Sequence, residues 1–321
     1  MELKSLIEIT RPHNCLMGAL TCVIGVLATD RIYALDLADL PASSLLVNAG
    51  LRFPSRMIEI LVLTYLIYVF IAAAGNIIND IYDIDVDRIN KPNRPLPRKA
   101  LTLSQAKAFT VTLWFTGGAL AFTISLISGI MAIVFAGLGY IYAARVKALG
   151  SLGNFAVASS FSFGMFFGAI VAAESRAHFI LLGGDTFVFI PLVIWVYFLT
   201  STFVLFGREV IKGIEDLRGD KVRSVKTIAR QHGSRAAANA AAMSNLLGIV
   251  FFNISWLMDG AKLITFPLVV AGSFAVLASA VFVLRSYRVP KAQSRASLLD
   301  KVGGFCGLVE FLLVNLIYAF S

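Results

Sequence analysis

Asn76, Asp80, Asp83 and Asp87 stand at i, i+4, i+7 and i+11, the spacing that puts side chains on one face of a helix. They close a long apolar run, so three carboxylates and an amide gather where a membrane helix would emerge into water. A second polar set, Arg208, Glu209, Lys212, Asp216 and Asp220, lies in the other half of the chain. Its Glu, Lys and two Asp fall at i, i+3, i+7 and i+11. Carboxylate oxygens without His or Cys among them suit a hard cation such as Mg2+ and disfavour zinc. Mg2+ usually takes one or two carboxylates and completes its shell with substrate phosphates. Arg and Lys beside such a site neutralise the remaining phosphate charge, Arg through paired hydrogen bonds and Lys as a point charge. Two acidic faces could thus each hold one Mg2+ and clamp a diphosphate between them.

Membrane helices must position these faces. Of the 321 residues 58% are hydrophobic and 15% charged, and the mean hydropathy is +0.81. Apolar runs of about 20 residues, the length that crosses hydrocarbon as helix, recur throughout. The short alternating segments of a membrane barrel are absent. The fold class read from this pattern is all-α: a polytopic membrane protein with about nine transmembrane helices. Spans are predicted near 11–29, 57–80, 105–127, 129–145, 152–173, 186–212, 236–257, 263–287 and 299–320. With a cytoplasmic N-terminus, only Arg31, Arg52, Arg56, Arg176 and Lys262 of the 28 Lys and Arg fall on the outer side. The positive-inside rule then fixes the orientation and puts both acidic faces on the cytoplasmic side. The net charge of +9 is accordingly topological, with anionic lipid headgroups as its partner and no nucleic acid.

Finer expectations follow along the chain. Residues 1–15 read as an amphipathic interfacial lead-in, without a signal-peptide pattern, and the loop 30–56 as a polar outer segment. Lys91, Arg94 and Arg98 lie in a Pro-rich stretch that cannot continue a helix and is expected to cap the acidic helix end. A tight turn is expected at Ser128-Gly129, and Gly164-xxx-Gly168 should permit close helix approach. The Gly runs at 117–118 and 303–307 read as packing. Cys15, Cys22 and Cys306 read as buried thiols with no disulfide or metal role. Both acidic faces end an even-numbered span and precede a basic loop. The chain therefore reads as a single domain, 1–321, of two weakly similar halves, roughly 1–145 and 152–321.

Asn79-Asp80-x-x-Asp83-x-x-x-Asp87, running on into Arg88 and Arg94-Pro95, resembles the first signature of the UbiA superfamily of membrane prenyltransferases. Arg208-Glu209-x-x-Lys212-x-x-x-Asp216-x-x-x-Asp220 resembles its second acidic motif. The order, separation and nine-span reading agree, so the resemblance covers nearly the whole chain. It implies a prenyl diphosphate donor, dependence on Mg2+ (two ions) and a central cavity open sideways to lipid. It further implies that Asp80, Asp83 and Asp87 bind one metal, with Asn76 and Asn79 assisting at the diphosphate. Asp216 and Asp220, with Glu209 as a further ligand, would bind the other. Asn76, Asp80, Asp83 and Asp216 are thereby the candidate catalytic residues. Tyr142, Arg145 and Lys147 match positions that hold diphosphate in similar proteins, and Arg94 joins them.

The acceptor is read from the cations. Ubiquinone-type relatives usually carry Tyr-Asp-x-x-Tyr-x-x-x-Asp in the second motif, whereas this chain has Arg208 and Lys212, which suit an anionic, phosphorylated acceptor. With Arg11-Pro12-x-Asn14-Cys15 in span one, the pattern resembles the archaeal geranylgeranylglyceryl phosphate geranylgeranyltransferase branch. That implies transfer of a geranylgeranyl group to a phosphorylated lipid acceptor in ether-lipid synthesis, with Asn14, Arg208 and Lys212 at the substrate. One departure is Gly213, where the branch commonly has Asp. The Asn-Lys-Pro-x-Arg-Pro tail of the first motif also resembles chlorophyll synthases, so an aromatic or tetrapyrrole acceptor remains a second reading. A cation-coupled transporter is a third, although its acidic residues would lie near the bilayer midplane beside broken helices. No obligate protein partner is implied. The expected location is the cell membrane, with the active site facing the cytoplasm.

Overall fold

A computed structural model describes residues 3–38, 54–180, 190–217 and 227–320. Among the described residues the regular elements are helices, and nine are long and apolar enough to cross a membrane. In chain order they are α1 (Leu3–Thr10), α2 (Pro12–Ala38), α3 (Pro54–Tyr82), α4 (Ile84–Asn90), α5 (Leu103–Ile124), α6 (Leu126–Ala144), α7 (Ser151–Ile180), α8 (Leu192–Glu215), α9 (Ile228–Met258), α10 (Phe266–Ser286) and α11 (Gln293–Phe320). All but α1 and α4 are span-length. In hydrocarbon every backbone polar group must be satisfied within its own segment, and a helix does this.

Several elements differ from the sequence expectation. Helix α2 continues to Ala38, so Arg31 belongs to a helix rather than a polar loop. It is buried, with its guanidinium 4.8 Å from the centroid of the Tyr318 ring. Residues 39–53 lie outside the described residues, as does the basic segment 221–226. The break between α5 and α6 falls at Ser125, not at Ser128-Gly129, which sit inside α6. Ser125 makes the break because its hydroxyl bonds the Ser128 N–H at 3.0 Å and donates to Glu174 at 2.5 Å. Helix α9 begins at Ile228, earlier than the expected span. Thr227 caps it by accepting from the Arg230 N–H, and Gly233, at φ +84, kinks it.

The chain divides into two compact units. Unit 1 comprises residues 1–143, 164–194 and 318–321, and unit 2 comprises 144–163 and 195–317. In unit 1, α3 packs against α5 and α2. Gly164 and Gly168 of α7 lie directly against Thr21 and the Cys22 backbone of α2, and Gly25 lies against the backbone of Met165. Small residues let these helices touch backbone to backbone, where dispersion rather than the hydrophobic effect favours association. Gly117 meets Phe70 and Ile71 of α3. In unit 2, α9 packs on α10. Gly272 of α10 and Gly303 of α11 face one another, and Gly248 of α9 lies against Val204 of α8. Cys15 and Cys22 are buried as expected, Cys306 is only half-buried, and all three are free thiols.

Candidate active site

The first acidic motif lies wholly in unit 1. Asn76, Asn79 and Asp80 occupy the last turns of α3. Asp83, at φ −91° and ψ 1°, is the junction with α4, and Asp87 is on α4. The face is therefore bent at Asp83 rather than carried by one straight helix. The backbone ladder persists across the bend, with Asp83 N–H bonded to Asn79 O at 3.0 Å and Asp87 N–H to Asp83 O at 2.8 Å. Helical register is thus kept, and Asp80 and Asp87 remain within reach of one side chain.

That side chain is Arg94. Its Nη1 donates to Asp80 Oδ1 at 3.0 Å and to Asp87 Oδ2 at 2.5 Å. Asp80 is 3% exposed and Asp87 1%, so both carboxylates need counter-charge to remain ionised there. The Pro-rich segment delivers Arg94. Leu96 and Leu101 are buried in a core with Ile9, Cys15, Ala73, Ala74 and Ile77. Backbone bonds from Ala100 and Leu101 N–H to Pro95 O close the loop. Arg98 departs from the expected cap over the acidic helix end. It donates instead to Glu8 Oε2 at 2.8 Å and Ser5 Oγ at 3.1 Å, tying the loop to α1.

Arg11 supplies the second positive charge and pairs with Asp80. It sits between α1 and α2 at φ +52°, a left-handed conformation that costs a non-Gly residue roughly 1–2 kcal/mol. Pro12 follows and disfavours right-handed helix at Arg11. The chain therefore turns sharply there, which turns the side chain onto α3. The Arg11-Pro12 dipeptide is the sequence signal for this role. Asn76 Nδ2 donates to Thr10 O at 2.9 Å and Cys15 Sγ at 3.3 Å, so its NH2 group holds the same junction in place. Asn79 Oδ1 is buried and accepts no hydrogen bond. Asn14 and Tyr142 also belong to unit 1, Asn14 exposed near the start of α2 and Tyr142 half-buried near the end of α6.

The second motif lies in unit 2. On α8, Glu209 Oε1 accepts from Lys212 Nζ at 2.6 Å and from Arg208 Nη1 at 3.2 Å. Asp216 is exposed just beyond the helix, its N–H bonded to Lys212 O at 2.8 Å. Asp220 lies outside the described residues. Arg145 and Lys147 mark the short 3-10 turn Val146–Leu149, Arg145 exposed and Lys147 half-buried. Gly213 is buried, and a Cβ there would meet only Thr227, at an ordinary 3.6 Å. The Asp expected at this position is thus not excluded by backbone crowding.

Among the described residues no three His, Cys, Asp or Glu side chains converge to hold a metal by themselves. The donors present are nevertheless oxygens. Two carboxylates are brought together through Arg94 at the first motif, and the buried Asn79 oxygen lacks a donor. That set fits Mg2+, which completes its shell with substrate phosphate and water rather than with an all-protein cage.

A profile of the UbiA prenyltransferase family matches residues 40–301. The chain belongs to the UbiA prenyltransferase family. A digeranylgeranylglyceryl phosphate synthase of Thermococcus kodakarensis is 34% identical over 99% of this chain and all of its own length. One of Saccharolobus solfataricus is 29% identical over 98% of each chain. A solved digeranylgeranylglyceryl phosphate synthase matches the fold with a TM-score of 0.67 at 24% identity, covering 98% of each chain. A UbiA homologue from Archaeoglobus fulgidus, solved bound to GPP and Mg2+, matches with a TM-score of 0.56 at 16% identity, covering 96% of this chain and 99% of its own. As a UbiA family member, the chain is an intramembrane prenyltransferase and a multi-pass membrane protein.

Proposed function

We propose that this UbiA enzyme transfers a geranylgeranyl group from its diphosphate to geranylgeranylglyceryl phosphate, with Mg2+ required. The observation that carries the acceptor is the pair of cations in the second motif. Arg208 and Lys212 converge on Glu209, so two cationic donors stand side by side where a phosphate monoester could meet both. The full-length similarity to digeranylgeranylglyceryl phosphate synthases supports the same acceptor. The site faces the cytoplasm of the cell membrane, with membrane lipid as its surroundings and the donor and acceptor as its only required partners.

Asp80, Asp83 and Asp87, with Asn79, would hold one Mg2+, and Glu209, Asp216 and Asp220 a second. When bound, the metal draws negative charge from the departing diphosphate as a Lewis acid. The chain's own residues do the rest. Arg11 and Arg94, which neutralise Asp80 and Asp87 here, become phosphate ligands once those carboxylates have other positive charge to face. Tyr142, Arg145 and Lys147 steady the same diphosphate, while Asn14, Arg208 and Lys212 orient the acceptor phosphate. The allylic C–O bond breaks towards a carbocation, which aromatic faces stabilise by about 0.5–2 kcal/mol each. The free acceptor hydroxyl attacks the allylic carbon, the ether bond forms and the hydroxyl proton is released. Apolar helix walls keep out water that would intercept the cation.

The experiment offers purified protein geranylgeranyl diphosphate and Mg2+ with four acceptors: geranylgeranylglyceryl phosphate, 4-hydroxybenzoate, a naphthoate and chlorophyllide. Mass spectrometry is expected to find the diether phosphate alone; a prenylated aromatic or tetrapyrrole as main product would overturn the acceptor. Lys212→Tyr is expected to raise KM for the phosphorylated acceptor more than KM for the donor. An equal loss with every substrate would count against a phosphate-binding Lys212.

A further inference from the structure

The proposed chemistry gives Asn76 no role, although its spacing puts it on the acidic face. Its amide nitrogen is already committed within the protein. Nδ2 donates to Thr10 O at 2.9 Å and to Cys15 Sγ at 3.3 Å, and Cys15 Sγ donates to the same Thr10 O at 3.1 Å. That carbonyl belongs to the peptide unit that runs into Arg11.

The backbone at Arg11 is held on both sides. Its N–H bonds Glu8 O at 3.1 Å, and its own carbonyl accepts from the Asn14 N–H at 3.0 Å. Between these ties the residue stands at φ +52°, a conformation that L side chains rarely adopt. Glu8, Asn14 and Cys15 belong to α1 and α2, whereas Asn76 brings its tie from α3. One turn further along α3, on the same face, Asp80 pairs with the Arg11 guanidinium. Helix α3 therefore grips Arg11 twice, by its backbone at Asn76 and by its side chain at Asp80. The Asp80 contact is the one that a phosphate role for Arg11 would exchange, and the Asn76 contact is the one that stays.

We propose that Asn76 is the positioning residue for Arg11, its amide fixing the left-handed Thr10–Arg11 turn against α3 so that the guanidinium stands ready for the donor diphosphate. The inference rests on the reading of Arg11 as a diphosphate ligand. An Arg on a loose junction loses freedom on binding, and ordering its backbone beforehand removes that cost. One chemical difference separates this role from metal ligation. A metal ligand at 76 would use the side-chain oxygen, which Asp supplies equally well. A tie to a carbonyl uses the NH2 hydrogens, which an ionised Asp lacks.

The test compares Asn76→Asp, Asn76→Ala, Arg11→Gln and the Asn76→Ala/Arg11→Gln double variant in the full-length protein in detergent. Both Asn76 variants are expected to raise the KM for geranylgeranyl diphosphate about tenfold, with kcat and the acceptor KM little changed. Asn76→Asp is expected to be no better than Asn76→Ala, and neither should alter the Mg2+ concentration that gives half-maximal rate. The double variant is expected to be no worse than Arg11→Gln alone. An Asp variant that keeps the wild-type donor KM, a raised Mg2+ requirement, or losses that add would each overturn the proposal. Thermal unfolding reads the same coupling without substrate: the double variant is expected to lose less stability than the two single losses added, and simple additivity would overturn it. If Asn76→Ala fails to fold, Asn76→Asp carries the comparison; failure of both would make Asn76 purely structural and overturn the proposal. A raised donor KM in Arg11→Gln beside unchanged Asn76 variants would sink this inference alone. A wild-type donor KM in Arg11→Gln would sink the diphosphate role of Arg11 and the inference with it.

Discussion

Arg94 reaches Asp80 and Asp87 from a single nitrogen, so one side chain gives counter-charge to two buried carboxylates. Breaking a buried pair by removing one partner costs about 3–5 kcal/mol. Arg94→Ala is expected to lower stability by about 3 kcal/mol, since Arg11 remains on Asp80 and softens the loss. Denaturant unfolding in detergent checks this, and an unchanged midpoint would contradict it. A further buried carboxylate receives a hydroxyl: Tyr197 donates to Asp259 Oδ2 at 2.6 Å and accepts from Asn315 at 3.2 Å. Tyr197→Phe is expected to cost about 1–3 kcal/mol in the same assay, because it removes a buried hydroxyl that both donates and accepts. Sequence spacing identified Asp80, Asp87 and Glu209 as site candidates, since carboxylates near spans are costly and rarely incidental. The same reasoning applied to Asp300 and Glu310 would have flagged both, as each is a carboxylate within the last span and almost wholly buried. Arg98 was misread for another reason. Its partners, Ser5 and Glu8, are some 90 residues distant, and spacing along one helix carries no trace of them.

Hydropathy found the helices because a lipid environment leaves little choice of backbone structure. It did not find their exact ends or bends. The bend at Asp83 keeps its hydrogen-bond ladder, so no Pro or Gly announces it. The α5–α6 break depends on the Ser125 hydroxyl, whose acceptor, Glu174, is supplied by α7. Gly164 and Gly168 were legible as small residues for close approach, and α2 is what they approach. Gly168→Ala is expected to cost about 1–3 kcal/mol, because its Cβ would strike the Cys22 backbone. Gly213 makes the opposite case within a helix. A Cβ there finds ordinary contact with Thr227, so Gly213→Ala is expected to stabilise by about 0.4–1 kcal/mol through the unfolded chain. Thermal unfolding of the two variants should move in opposite directions, and a shift of the same sign in both would refute this packing account.

At the scale of the molecule, the two motifs belong to different compact units. Within each unit Arg and Lys pair with motif carboxylates: Arg11 and Arg94 with Asp80 and Asp87, and Arg208 and Lys212 with Glu209. A phosphate ligand with its metal offers oxygens to such arginines and positive charge to such carboxylates. The most direct measurement is pyrophosphate release from geranylgeranyl diphosphate by purified protein with Mg2+ and acceptor, comparing wild type with Asp80→Ala and Asp216→Ala. Both variants are expected to remain folded in detergent and to release almost none, because each removes a carboxylate proposed to hold Mg2+. Normal release by either variant would contradict the proposal that both motifs are needed to ionise the diphosphate.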